Sequence, residues 1–174
     1  MPDQPFRKKE TLSVITLIVT CWILFFFGLG AVPIQDIDEA MHAATSKDMV
    51  LSGDWVTPRY NGENFYDKTP LYNWLAAISF LLFGFSEFAA RLPAALLGSG
   101  CVMLTYWLAR SMFGPVVAFL SALVLATSAE YIVLSRVVVH DISLAFFVTL
   151  ALTLFFVGYK NEKQRKPAFL FGYA

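Results

Sequence analysis

The stretch DIDEAMH, residues 36–42, places three carboxylates and a histidine directly after an apolar segment. Asp38 and Glu39 are adjacent acids, and Asp38 and His42 are four residues apart, so on a helix these two share a face. A carboxylate at the edge of an apolar environment can act as a general base that takes a proton from a hydroxyl group. The stretch is therefore a candidate reactive site at a membrane boundary. The alternative is a charged loop that stays in water.

Two cations further along the chain, Arg59 and Lys68, are potential partners for a phosphate group. A base and a phosphate-binding cation beside an apolar surface would suit a substrate that is linked to a lipid phosphate. The competing interpretation is a solvated acidic face with basic side chains that reach to lipid headgroups. His42 fits three roles: a second general base, a metal ligand, or an ordinary interfacial polar residue.

The composition is that of a membrane protein. Of 174 residues, 57% are hydrophobic and only 15% are charged, and a soluble domain of this size needs more polar surface. The net charge is zero and no interleaved basic patch occurs, which argues against nucleic acid as a partner. Cys21 and Cys101 both lie in apolar stretches, so we expect small core or lipid-facing residues, and the sequence supports neither a disulfide framework nor a metal site there.

A membrane span needs about 20 apolar residues, and four segments qualify. They are residues 12–34, 92–109, 115–134 and 142–159. The segment 70–85 is apolar but short. If it does not cross, Arg7–Lys9, Arg110 and the basic stretch 160–166 all fall on the cytoplasmic side, as the positive-inside rule requires. We therefore place 70–85 in the outer leaflet, with the loop 35–91 and the link 135–141 outside.

The external loop has its own predicted elements. Helix-forming residues with acids in the first turn and a glycine at the end predict a juxtamembrane helix over about 38–52. Turn signals follow at Asn61-Gly62 and Thr69-Pro70, and a second juxtamembrane helix is expected over about 70–85. A further apolar segment opens at Pro167 and stops after eight residues, so we expect the chain to be the N-terminal part of a longer protein.

The order of these motifs resembles a known family. Residues 38–96, from DEAMH through YDKTPLYNW to RLPAAL, followed by RSMFG (110–114) and SRVVVHDISLAFF (135–147), are similar to the start of the polyprenyl-phosphate-sugar glycosyltransferases with the GT-C membrane fold. These include protein O-mannosyltransferases and lipid A aminoarabinose transferases. The resemblance covers roughly residues 33–160. It implies an all-α integral membrane protein, the N-terminal part of a multi-span GT-C domain with external juxtamembrane helices.

The resemblance also implies site residues. The family's Asp-Glu pair matches Asp38 and Glu39, with the aspartate as the base that activates the acceptor, and the aspartate of the later external link matches Asp141. The family's lysine at the donor phosphate matches Lys68. Further matches are Tyr66, Asp67 and Pro70 around that lysine, and Arg136 at a frequent basic position.

The chain departs from the pattern at two places. Aminoarabinose transferases commonly carry Arg-Tyr where this chain has Met41 and His42, and Asp67 replaces a frequent Glu. If the missing arginine holds the donor phosphate in that group, this protein must use Lys68 or another cation. The resemblance then favours a generic sugar transferase over a lipid A enzyme.

We therefore predict that the protein is a multi-pass glycosyltransferase of the inner (plasma) membrane, with its active site facing the outside or periplasm. The donor is a polyprenyl-phosphate-linked sugar, the acceptor a lipid A, glycan or protein, and membrane lipids surround the chain. Asp38 acts as base with inversion at the sugar. No cofactor is indicated, although a divalent cation can assist such a transfer. The alternative functions are a non-catalytic membrane scaffold and a transporter subunit.

Overall fold

The computed structural model of the protein describes residues 4–34, 36–66 and 69–160. The regular secondary structure of these residues is helical except for one short hairpin. The helices are α1 (Gln4–Cys21), continued by a π-helical turn (Trp22–Phe26), α2 (Ile37–Ser52), α3 (Leu71–Phe83), α4 (Glu87–Phe113), α5 (Pro115–Thr127), α6 (Ala129–Leu134) and α7 (Asp141–Lys160). The hairpin pairs β1 (Arg59–Tyr60) with β2 (Glu63–Asn64) in antiparallel register.

The chain divides into two compact units. The first comprises the described parts of residues 1–24, 99–132 and 145–174, and the second comprises the described parts of 25–98 and 133–144. In the first unit, α1 packs against α5, and the Arg110 guanidinium forms an ion pair with Glu10. Cys21 and Cys101 are buried free thiols.

Helix α5 has the composition of a lipid-facing helix. Three small residues at four-residue spacing, Ala118, Ala122 and Ala126, are fully buried, whereas Leu120 and Val124 on the other side are exposed. Small residues let helices approach closely in a bilayer, where large aliphatic side chains gain nothing by leaving the lipid. Helix α5 can therefore pack closely through its alanines while its larger side chains face the surroundings.

Within residues 4–34, 36–66 and 69–160, two helices are long and apolar enough to cross a membrane. They are Glu87–Phe113 and Asp141–Lys160, and they contain the predicted spans 92–109 and 142–159. The other two predicted spans differ in extent. The first apolar helix ends at Phe26, because the glycine-containing residues 27–30 form consecutive turns. The segment 115–134 is interrupted at Ser128, whose extended backbone separates α5 from α6.

The second unit is built around α2 and α3. Asp36 caps α2 by accepting a hydrogen bond from the Asp38 N–H at 2.9 Å, and the Gly53 N–H bonds to the Met49 carbonyl at its end. The helix predicted at about 38–52 thus runs over 37–52. The helix expected at 70–85 runs over 71–83. Its rise is about 20 Å, which is short of a hydrocarbon core of about 30 Å.

The sequence predicts the turn at Asn61-Gly62, but it does not predict the two strands that the turn connects. Asn61 and Gly62 both have positive φ, as a two-residue hairpin turn requires, and glycine takes that conformation without strain. Each strand has only two residues, which is too short for a detectable alternating pattern.

Three consecutive residues of α3 fix it to different parts of the unit. Tyr72 is fully buried and its hydroxyl donates to the Ala90 carbonyl of α4 at 3.2 Å. Asn73 bonds to His42 of α2, and the Trp74 indole N–H donates to the Trp55 carbonyl at 2.7 Å. Successive helical residues point about 100° apart, so one short run reaches three neighbours.

Candidate active site

A buried ion pair joins α2 to the start of α4. Glu39 and Arg91 make two hydrogen bonds, Nε to Oε1 at 2.7 Å and Nη2 to Oε2 at 2.9 Å. Their side chains are only 4% and 7% exposed. This is the bidentate fork geometry in which a guanidinium binds a carboxylate most strongly. We call these two residues the Glu39–Arg91 clamp.

The clamp also holds two backbone segments. Arg91 Nη1 donates to the carbonyls of Leu29 at 3.1 Å and Val32 at 2.6 Å. Glu39 Oε1 accepts the Val138 N–H at 3.0 Å. Buried charges are tolerated when all their hydrogen-bonding capacity is used, and here the pair unites α2, α4, the segment 29–33 and the link 135–140.

Asp38, one residue earlier, has the opposite environment. Its carboxylate is exposed in the first turn of α2, and no described residue pairs with it. Because consecutive residues of an α-helix are rotated by about 100°, Glu39 can point inward while Asp38 points away. The helix N-terminus stabilises a negative charge at this position.

A histidine pair lies beside these acids. His42 is 3% exposed, and its Nδ1 is 2.9 Å from Asn73 Oδ1, which only accepts, so Nδ1 donates. The His42 and His140 rings have centroids 5.7 Å apart. His140 Nε2 is 3.3 Å from Asp141 Oδ1. Asp141 is exposed at the first residue of α7. The structure therefore brings the α2 face and the link 135–141 together.

His42 has the surroundings of a buried polar residue. Among residues 4–34, 36–66 and 69–160, no group of three or more His, Cys, Asp or Glu side chains is arranged to hold a metal ion. Burial and the bond to Asn73 instead make His42 a link between α2 and α3.

The link 135–140 packs closely on α4. A Cβ atom added at Gly98 would lie 2.4 Å from Ser135 Oγ and 2.9 Å from Ser135 Cβ. Only glycine leaves room for this approach, which lets the link reach Glu39 through Val138. Arg136 lies half-buried in the same link.

The remaining predicted site residues lie elsewhere or outside the described residues. Arg59 forms an ion pair with Asp54 at 3.2 Å, so this cation already has a partner. Backbone N–H groups of Thr57 and Val56 lower the pKa of Asp54. Tyr66 is exposed, while Asp67 and Lys68 lie outside the described residues.

Arg91 was missed by the sequence analysis. Its charge is unusual in the first turns of an apolar helix, in FAARLPAAL, and an arginine at such a place commonly has a buried partner. That rule does not identify the partner, which is 52 residues away along the chain.

Comparison with known proteins places the chain among membrane glycosyltransferases. A family model described as dolichyl-phosphate-mannose-protein mannosyltransferase matches residues 67–174. The chain is 34% identical over 158 residues to an uncharacterized protein of Aquifex aeolicus, covering 90% of this chain and 31% of that protein. It is 28% identical over 161 residues to an undecaprenyl phosphate-alpha-4-amino-4-deoxy-L-arabinose arabinosyl transferase of Edwardsiella ictaluri, covering 92% and 29%.

A solved structure is also similar. ArnT from Cupriavidus metallidurans bound to undecaprenyl phosphate superimposes with a TM-score of 0.78 at 30% identity, covering 83% of this chain and 27% of that one. This likeness confirms the predicted all-α integral membrane fold. The chain spans less than a third of the length of these proteins.

Proposed function

Because the chain belongs to the family of dolichyl-phosphate-mannose-protein mannosyltransferases, we propose that the full protein is a membrane glycosyltransferase. It transfers a sugar from a polyprenyl-phosphate donor to a hydroxyl group of a lipid, glycan or protein acceptor. The reaction takes place at the outer, periplasm-facing side of the inner membrane. The undecaprenyl phosphate in the similar ArnT structure supports a lipid-phosphate donor.

The assignment of roles rests on one observation, which is that the two adjacent acids have different surroundings. Glu39 is committed to Arg91 and to the Val138 N–H, whereas the Asp38 carboxylate is exposed without a described partner. A general base must reach the substrate proton, and only Asp38 of the pair has that freedom. Glu39 is a positioning residue that holds the helix start and the link 135–140.

The proposed reaction is a single displacement with inversion. Asp38 takes the proton of the acceptor hydroxyl, and the oxygen attacks the anomeric carbon through an oxocarbenium-like transition state. The bond between that carbon and the donor phosphate oxygen breaks, which releases a lipid monophosphate. Lys68 offsets the developing charge on the phosphate. Asp141, next to His140 at the start of α7, is the second carboxylate that we assign to the site.

The test uses full-length protein in detergent or nanodiscs with a panel of polyprenyl-phosphate sugars. Release of lipid monophosphate that depends on both the donor sugar and an added acceptor would support the proposal. A folded, membrane-inserted protein that releases none with any donor would instead support the scaffold or transporter alternatives.

A further inference from the structure

A groove of about 310 Å³ lies between α3 and the beginning of α4, away from the charged residues described above. Its walls are almost entirely aliphatic, with Phe83 on one helix and Pro93 on the other. The volume is at the lower end of the range for ligand pockets. Since Pro93 has no N–H, α4 lacks one internal hydrogen bond beside this groove.

One polar atom on the groove wall has no partner. Ser79 is 5% exposed, and its Oγ is buried without a hydrogen bond among the described residues. A helical serine commonly bonds the carbonyl four residues before it, as Ser46 does with His42. Leaving a hydroxyl buried and unpaired is unfavourable, so this atom indicates a ligand that supplies an acceptor at that depth.

The surroundings of α3 indicate the class of ligand. Its outward side chains Ile78, Leu81 and Leu82 are 46%, 60% and 71% exposed, which suits a helix in contact with lipid. A polyprenyl chain is pure hydrocarbon and would leave the Ser79 hydroxyl unpaired. An acyl chain joined by an ester has a carbonyl oxygen at the boundary between headgroup and hydrocarbon, where a short interfacial helix lies.

We propose that the groove between α3 and α4 binds an acyl chain of a glycerophospholipid, with the Ser79 hydroxyl donating a hydrogen bond to the ester carbonyl. The proposal concerns a lipid of the surrounding membrane and does not depend on the proposed transferase activity. The bound lipid would lie on the face of α3 that also contacts α4.

The experiment uses full-length protein in nanodiscs with two photoactivatable phosphatidylethanolamines. Both carry a diazirine near the end of one chain, and that chain is ester-linked in one and ether-linked in the other. The ester probe should label peptides containing residues 75–83 and 92–97 about fivefold more than the ether probe, as expected for one net hydrogen bond. Leu96→Trp, which fills the groove from an exposed position, should abolish this labelling. Leu81→Trp, exposed on α3 but outside the groove, is the matched control.

Ser79→Ala should remove the preference for the ester probe while the ether probe labels as before. Equal labelling of the wild type by both probes would overturn the proposal, and so would labelling that Leu96→Trp leaves unchanged. Displacement of the ester probe by an equimolar polyprenyl phosphate would also overturn it, because the groove would then belong to the donor.

Discussion

Asp38 and Glu39 carry the same charge and are neighbours in the sequence, yet their environments separate their roles. Glu39 is enclosed by Arg91 and the Val138 N–H, and Asp38 is exposed at the start of the same helix. A buried carboxylate in an ion pair holds structure, because moving it would leave the guanidinium unpaired. An exposed carboxylate at a helix start contributes little to packing and is available to a substrate.

The first prediction at the residue scale concerns stability. Glu39→Gln keeps the shape of the side chain but leaves the Arg91 charge buried without its counter-ion, so the free energy of unfolding should fall by about 3–5 kcal/mol. Thermal unfolding of the full-length protein in detergent measures this. Asp38→Asn is the control and should change the midpoint little. A Glu39→Gln protein as stable as the wild type would show that the clamp is unimportant to the fold.

The second prediction concerns Lys68, whose role rests on the resemblance. Lys68→Ala should raise the donor concentration needed for half-maximal transfer and lower the rate, because the departing phosphate loses a compensating charge. Lys68→Arg should restore part of the activity, with a different geometry. Steady-state kinetics with varied donor would measure both, and Lys47→Ala would serve as a lysine control on α2. Full activity of Lys68→Ala would exclude the assigned role.

At the scale of elements, the close approach of the link 135–140 to α4 fixes where Val138 meets Glu39. An alanine in a helix is normally more stable than glycine by about 1 kcal/mol. At Gly98 the added Cβ would lie 2.4 Å from Ser135 Oγ, and overpacking of this kind costs about 1–3 kcal/mol. The cost of overpacking therefore equals or exceeds the gain in helix propensity.

We accordingly expect Gly98→Ala to lower both the unfolding temperature and the transfer rate. Ser135→Gly in the same chain should restore both, since it removes the atoms that the new methyl group meets. A double-mutant cycle on the unfolding free energy would measure this coupling. Additive effects of the two substitutions would show that Gly98 and Ser135 are not in contact.

The same scale shows what local sequence could predict. Acids in the first turn and Gly53 at the end gave the extent of α2 to within a residue, because caps are local signals. The clamp could not be predicted, since Glu39 meets Arg91 across 52 residues and Val138 across 99. The break at Ser128 was missed because hydropathy is continuous across it. The turns at residues 27–30 were also missed, because they too lie within a continuous apolar segment.

For the whole molecule, topology decides whether the acids and their substrate share one side of the membrane. We expect residues 36–91 and 135–141 to lie on the outer side of the membrane. With Cys21 and Cys101 replaced, a single cysteine at Glu63, exposed on β2, should react with an impermeant thiol reagent in intact cells. Glu63 is a better position than the neighbouring turn residue Gly62, because Gly62 has a positive φ at which a cysteine side chain would be strained. A cysteine at Gln164 should react only after the membrane is opened. The reverse pattern would reject the topology.

The central claim is that Asp38 is the base and that its neighbours are not. The most direct measurement is turnover at saturating donor for three variants of the full-length protein: Asp38→Asn, Asp36→Asn and Glu39→Gln. Asp38→Asn should lower the chemical step by about 10²–10⁴, because it removes basicity and keeps size. Asp36→Asn should be nearly as active as the wild type, because asparagine also caps a helix. Glu39→Gln should lose activity together with stability. Equal losses at Asp36 and Asp38, or a loss at Glu39 alone, would contradict the account.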